Sequence, residues 1–274
     1  MLISPVNAQN LRVISLYPGH SDNIFALGGE NILIALSEND DVDLLPNLPR
    51  VSIRSGAEKI LSLSPDIVVT RTFAQRINPN LYNILERAGV KIISLDPPNW
   101  SDFPEYLRIL ASELNLNPDS AINKLNNIRA DISRQAERIR TKPRVFIEAT
   151  SREIHTCAPD SWAANLIKLS GGINIADSVR PLRSGSSIAP FGLERVIKSL
   201  ANKNLDIYII QTGAMNNTTL KDFHSRHWAG ALKNVKICEI PEKYLSRPSL
   251  LGLEKGGRML IEIFAESQKG EQIN

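Results

Sequence analysis

A chain of 274 residues is long enough for roughly two domains at about 150 residues each, with a buried core in both. Hydrophobic residues make up 42% and charged residues 22%, which excludes collagen-like, coiled-coil and disordered classes. The net charge of +3 is spread without a basic tract, so no nucleic-acid partner is expected. No run approaches the ~18 consecutive apolar residues of a membrane-crossing helix.

Met1 to Asn10 has neither a basic start nor an apolar stretch, so no export signal is visible. Val6-Asn7-Ala8 before Gln9 resembles the end of a cleavage site. The first half then alternates strand and helix. Arg12 to Leu16 is an apolar strand, followed by the turn Tyr17-Pro18-Gly19-His20. Ser21 or Asp22 can cap a short helix through Leu27, which Gly28-Gly29 ends. Asn31 to Leu36 is a second apolar run, and Pro46 and Pro49 bracket a loop. Helix Ala57 to Leu63 is broken by Ser64-Pro65 before strand Ile67 to Val69. Helix Asn80 to Ala88, strand Val90 to Leu95 and helix Asp102 to Leu114 complete the half. Strands separated by helices predict parallel βαβ units.

Pro118 to Arg140 contains no breaker. Ile122, Leu125, Ile128, Ile132, Ala136 and Ile139 recur three and four residues apart, the stripe of one helix. About 23 residues at ~1.5 Å each give a rod of roughly 34 Å, long enough to pass from one domain to another. Alternation then resumes: strand Arg144 to Glu148, helix Ala163 to Leu169, helix Leu193 to Leu200, strand Asp206 to Ile210, strand Val235 to Ile240 and a terminal amphipathic helix from Leu250 to Ala265.

The halves echo one another. Arg12-Val13 corresponds to Arg144-Val145, Gly28-Gly29 to Gly171-Gly172, and Asp66 to Asp206. Gly56-Ala57-Glu58-Lys59-Ile60-Leu61 corresponds to Gly192-Leu193-Glu194-Arg195-Val196-Ile197. The expected fold is therefore α/β, two Rossmann-like lobes with parallel sheets joined by a single long backbone helix. The expected boundaries are 1–115, 116–142 and 143–274. Parallel sheets bind ligands beyond the carboxyl ends of their strands. Those ends are the loops at Tyr17–Asp22, Arg71–Phe73, Asp96–Trp100, Thr150–Trp162 and Thr212–Asn217, which would face a cleft between the lobes.

Candidate ligand contacts follow from residue type at those ends. Tyr17, Phe73, Trp100 and Trp162 offer aromatic area to a large planar ligand. Arg54, Arg71, Arg152 and Arg183 offer guanidinium forks for carboxylates, phosphates or catecholates. His20 and His155 follow the first strand of each lobe, so both are candidate metal ligands. His224-Ser225-Arg226-His227 offers two more imidazoles in what reads as an outer segment, and Asp40 to Asp43 reads as a solvated acidic turn. Cys157 and Cys238 make no CxxC, which excludes a zinc ribbon. One bridge between them stays open beside two buried free thiols. No GxSxG, P-loop or post-strand GxGxxG is present, so no enzymatic activity is expected.

Several segments resemble the helical-backbone, or class III, substrate-binding proteins of ABC transporters, receptors for ferric siderophores, haem or cobalamin. They are Ser15-Leu16-Tyr17-Pro18-Gly19-His20-Ser21-Asp22 with Ala26-Leu27-Gly28, Leu48-Pro49-Arg50-Val51, Glu58 to Val68 (EKILSLSPDIV), Leu166 to Ala176 (LIKLSGGINIA), and Trp228 with Leu232 and Val235 to Ile237. Ser21-Asp22 replaces the usual Thr-Glu, a conservative change for a helix cap, and the segment Tyr17 to His20 is unusual. The resemblance implies an extracytoplasmic, monomeric receptor with no cofactor of its own. Its ligand would be a cobalt or iron complex, of cobalamin or ferric-siderophore type, passed to a membrane permease. It also implies that Glu58 and Glu194 dock onto permease arginines, as two separated carboxylates can. A free metal ion or oxyanion receptor is the alternative within this fold. A nitrogenase-like enzyme or cofactor-assembly protein is the alternative outside the class, and would need cluster-ligating cysteines.

Overall fold

The computed structural model describes residues 11–40, 47–151 and 153–269. The chain divides into two compact units, Met1–Leu125 and Asn126–Asn274. Unit 1 contains β1 (Val13–Ser15), α1 (Pro18–Ala26), β2 (Leu33–Ser37), β3 (Arg50–Val51), α2 (Ala57–Leu61) and β4 (Ile67–Thr70). It continues through α3 (Thr72–Ile77), α4 (Pro79–Arg87), β5 (Lys91–Ser94) and α5 (Phe103–Glu113). Its five strands pair in parallel in the order β3-β2-β1-β4-β5. Connections run outward from β1 to one edge and then restart on its other side at β4, so the order reverses between β1 and β4. Helices cover a parallel sheet on both faces, which is why β1 and β4 are buried throughout.

Helix α6 (Asp119–Ala136) runs unbroken through the boundary between the units. It is 18 residues long, shorter than the predicted Pro118 to Arg140. Beyond Ala136 the bonds tighten to three-residue spacing, Arg138 N–H to the Gln135 carbonyl and Ile139 N–H to Ala136. Hydrophobic periodicity continues through that last turn although the α-helix has ended.

Unit 2 contains β6 (Arg144–Glu148), β7 (His155–Cys157), α7 (Trp162–Leu169), β8 (Ile173–Asn174), β9 (Ile188–Pro190) and α8 (Leu193–Ala201). It ends with β10 (Ile207–Thr212), α9 (Leu220–His224), β11 (Lys236–Pro241), α10 (Glu242–Leu245) and α11 (Leu250–Lys269). Its parallel sheet has the order β11-β10-β6-β8, with the reversal between β6 and β10. A separate antiparallel ribbon pairs β7 with β9. Period-two patterning is invisible in strands of three residues, and the sequence gives no sign of this ribbon.

The predicted echo is present at the level of single hydrogen bonds. In unit 1 the Arg12 N–H donates to the Asp66 carboxylate at 2.8 Å, and the Asp66 N–H returns to the Arg12 carbonyl at 2.9 Å. In unit 2 the Arg144 N–H donates to Asp206 at 2.7 Å, and the Asp206 N–H returns to Arg144 at 2.9 Å. Each aspartate thus locks the start of the first strand to the start of the strand across the reversal. Gly28 and Gly171 both sit at positive φ, 76° and 88°, the left-handed turn that ends α1 and α7.

Each unit has its own apolar core. One gathers Ile14, Val68, Leu85 and Ile60, the other Phe146, Tyr208, Phe223 and Val196. Cys157 is buried and Cys238 half-buried, and both are free thiols. Burial pushes each up to about 12, so neither is a thiolate at neutral pH. No helix among the described residues is long and apolar enough to cross a membrane.

Candidate functional site

The reversal in unit 1 opens into a groove of about 360 Å³. Leu16, Tyr17 and Pro18 line it from the end of β1, and Ser37, Glu38 and Asn39 from the end of β2. Ile53 and Arg54 follow β3, and Arg71, Phe73 and Ala74 follow β4. This is the topological switch point where open α/β sheets bind ligands. Four of the predicted contacts, Tyr17, Arg54, Arg71 and Phe73, come together here.

The Arg71 guanidinium lies 4.8 Å from the centre of the Tyr17 ring, within cation–π range. Its Nε is shielded from solvent and has no hydrogen-bond partner among the described residues, which leaves a donor for an incoming acceptor. Phe73 is 49% exposed, an apolar ring left in water at the rim. Gly19 lies directly beneath Tyr17: a Cβ there would stand 2.5 Å from the ring, so only glycine lets the ring lie where it does.

The groove loops are tied from beneath. The Ser52 hydroxyl donates to the Glu38 carboxylate at 2.6 Å and accepts from the Arg54 N–H at 3.2 Å, joining the β2 and β3 ends. Asp96, after β5, accepts from both the N–H and the hydroxyl of Thr72 and so holds the first residue of α3. Ser37 to Asn39 lie outside the five strand-end loops expected to face a ligand. The usable signal was the strand-then-polar pattern Ala35-Leu36-Ser37-Glu38-Asn39, the same punctuation that marked the other loops.

Other predicted contacts lie elsewhere. His20 is corrected from metal ligand to core residue. It is fully buried, with Nδ1 2.6 Å from the Tyr106 hydroxyl and Nε2 3.2 Å from the Thr70 carbonyl. A carbonyl only accepts, so Nε2 carries the proton and Nδ1 accepts from Tyr106. Neither nitrogen keeps a lone pair for a metal. Burial, more than any neighbour, lowers its pKa to about 4, with Arg71 adding to the effect. Trp162, the first residue of α7, is 5% exposed and is not among the residues that line the unit 1 groove.

In unit 2, His155 is half-buried on β7 with Nε2 3.2 Å from Glu153. No group of three or more His, Cys, Asp or Glu side chains suited to a metal ion occurs among the described residues. Arg183 is exposed in the loop before β9, and Trp100 is half-buried after β5, outside the groove lining. Arg152 and most of the Asp40–Asp43 turn lie outside the described residues, as do Val6 to Ala8.

The switch point of unit 2 is occupied by the chain itself. Glu148, at the end of β6, has no exposed surface and accepts a two-pronged pair from Arg226 at 2.6 and 2.8 Å. The Tyr208 hydroxyl also donates to that carboxylate, and the Asn216 amide donates to its side chain and carbonyl. Arg226 lies 5.3 Å from the ring centres of both Phe223 and Trp228. The bond to Glu148 raises the guanidinium's pKa further. This cluster is not legible in the sequence, since Arg226 stands between two histidines and Glu148 directly follows the apolar run Val145 to Ile147.

Comparisons with known proteins agree with this fold. The vitamin B12-binding protein of Vibrio vulnificus is 25% identical over 253 residues, covering 89% of this chain and 88% of that protein. A periplasmic haem-binding protein of Roseiflexus superposes with a TM-score of 0.68 at 20% identity, over 93% of this chain and 99% of the other. A possible iron-binding periplasmic protein of Staphylococcus epidermidis superposes with a TM-score of 0.71 at 18% identity, over 91% and 98%. The chain shares the two-unit parallel α/β fold of these periplasmic binding proteins and is similar along most of its length to vitamin B12-binding proteins. No protein-family model matches it.

Proposed function

We propose that the chain is the extracytoplasmic solute receptor of an ABC importer, capturing a metal chelate without chemical change and presenting it to a membrane permease. The observation that carries this reading is the unit 1 groove. An aromatic ring, a stacked guanidinium with a spare buried donor, a second arginine and an exposed phenylalanine share one switch point. Rings supply area for a broad ligand, and guanidiniums meet anionic oxygens on its edge. The ligand classes named for the relatives, vitamin B12, haem and iron, all fit a chelate of cobalt or iron. Two arginines against the single carboxylate Glu38 favour a chelate that turns anionic oxygens toward unit 1. A free-ion receptor is disfavoured, because His20 is spent inside the core and no three-ligand cluster is described.

Permease docking falls to Glu58 and Glu194. Each is exposed in the first turn of a short helix, α2 and α8, at corresponding places of the two units. The double variant Glu58→Ala/Glu194→Ala is expected to abolish ATP-driven chelate uptake in vesicles carrying the permease, while chelate affinity stays within about twofold. Unimpaired uptake by the double variant removes the docking assignment.

A further inference from the structure

The three residues Thr70, Arg71 and Thr72 form the corner between β4 and α3, and Arg71 is the groove's stacked guanidinium. This corner is held at several points. The Thr70 carbonyl accepts from the Leu95 N–H at 2.9 Å and from His20 Nε2 at 3.2 Å. The Thr70 hydroxyl pairs with the Tyr82 hydroxyl at 2.8 Å, and Thr72 is held by Asp96. His20 also meets the Tyr17 ring edge-on at 5.0 Å between centres, on the residue against which Arg71 stacks. The imidazole therefore supports Arg71 twice, through the Thr70 carbonyl and through the Tyr17 ring.

We propose that His20 is a positioning residue of the groove: its Nε2–H fixes the Thr70 carbonyl, and thereby the corner that carries Arg71 to the ligand. This rests on the chelate-receptor reading above. A fully buried imidazole costs desolvation that an apolar side chain would avoid, so its presence in the core asks for a role. Its Tyr106 partner supplies the reason for the orientation. The phenol donates to Nδ1 and so directs the ring's one proton to Nε2 and Thr70. A guanidinium set before binding needs no ordering when the ligand arrives, which preserves affinity.

Two substitutions separate the Thr70 bond from mere occupancy of the core. In His20→Gln the side-chain amide nitrogen reaches the place of Nε2 and keeps a donor for Thr70. In His20→Asn the shorter amide reaches only the place of Nδ1, so Tyr106 keeps a partner and Thr70 loses its donor. Both bury a neutral amide. The full chain and both variants are titrated with haemin and with cyanocobalamin, and amide hydrogen exchange is followed over residues 70–73. His20→Asn is expected to bind the chelate about three- to tenfold more weakly than wild type, with faster exchange at the corner. His20→Gln stays within about twofold on both measures. Equal affinity and equal exchange in the two variants overturn the positioning role. If wild type binds none of haemin, cyanocobalamin and a ferric catecholate siderophore, the receptor reading fails, and corner exchange alone decides: faster in His20→Asn only supports the positioning role, equal in both overturns it.

Discussion

Arg226→Met is expected to be the most damaging single substitution in unit 2. It removes the guanidinium from a carboxylate with no exposed surface, leaving Glu148 with only Tyr208 and Asn216 as donors. An ion left buried and unpaired costs about 3–5 kcal/mol. At ~2–4 °C per kcal/mol for a unit of roughly this size, the melting temperature falls by about 10 °C. The double variant Glu148→Gln/Arg226→Met, which buries no charge, recovers a large part of that loss. Calorimetric melts of the three proteins check the claim. A drop of under about 2 °C in Arg226→Met contradicts it, and so does a double variant less stable than the single one.

Arg71→Ala is expected to weaken chelate binding most among groove substitutions while leaving folding intact. Hydrogen bonds to charged groups contribute about 1.5–3 kcal/mol, so the dissociation constant rises roughly ten- to a hundredfold. Arg71→Lys recovers little, because an ammonium can neither lie flat on Tyr17 nor present a fork. The melting temperature should hold, since the side chain lies at the groove wall, against the Tyr17 ring. Fluorescence-quenching titrations with haemin and cyanocobalamin measure the effect. An Arg71→Ala protein that binds like wild type removes Arg71 from the ligand.

The two parallel sheets were legible because strands buried on both faces read as apolar runs, and helices between them as periodic stripes. The duplication was legible for a different reason. Arg12 with Asp66 and Arg144 with Asp206 are polar residues fixed at strand starts by backbone bonds, so they recur where surface residues drift. Tyr17, Arg54, Arg71 and Phe73 meet in one groove because topology brings the strand ends around β1 together.

What stayed hidden depends on three-dimensional partners. Nothing local separates the buried His20 from a ligand histidine, because its fate is decided by Tyr106, far away in sequence, and by the Thr70 carbonyl. Glu148 and Arg226 each looked ordinary alone, and they matter only as a pair across 78 residues of chain. The β7–β9 ribbon is too short for any period to show.

The most direct experiment is a melting-curve screen of the full chain with haemin, cyanocobalamin, a ferric catecholate siderophore, molybdate and zinc chloride. One chelate, present at 100 times its dissociation constant, should raise stability by about 2.7 kcal/mol and be recovered chemically unchanged. Zinc and molybdate should leave the curve where it was. A curve that moves only with zinc, or a chelate returned altered, would contradict the receptor reading.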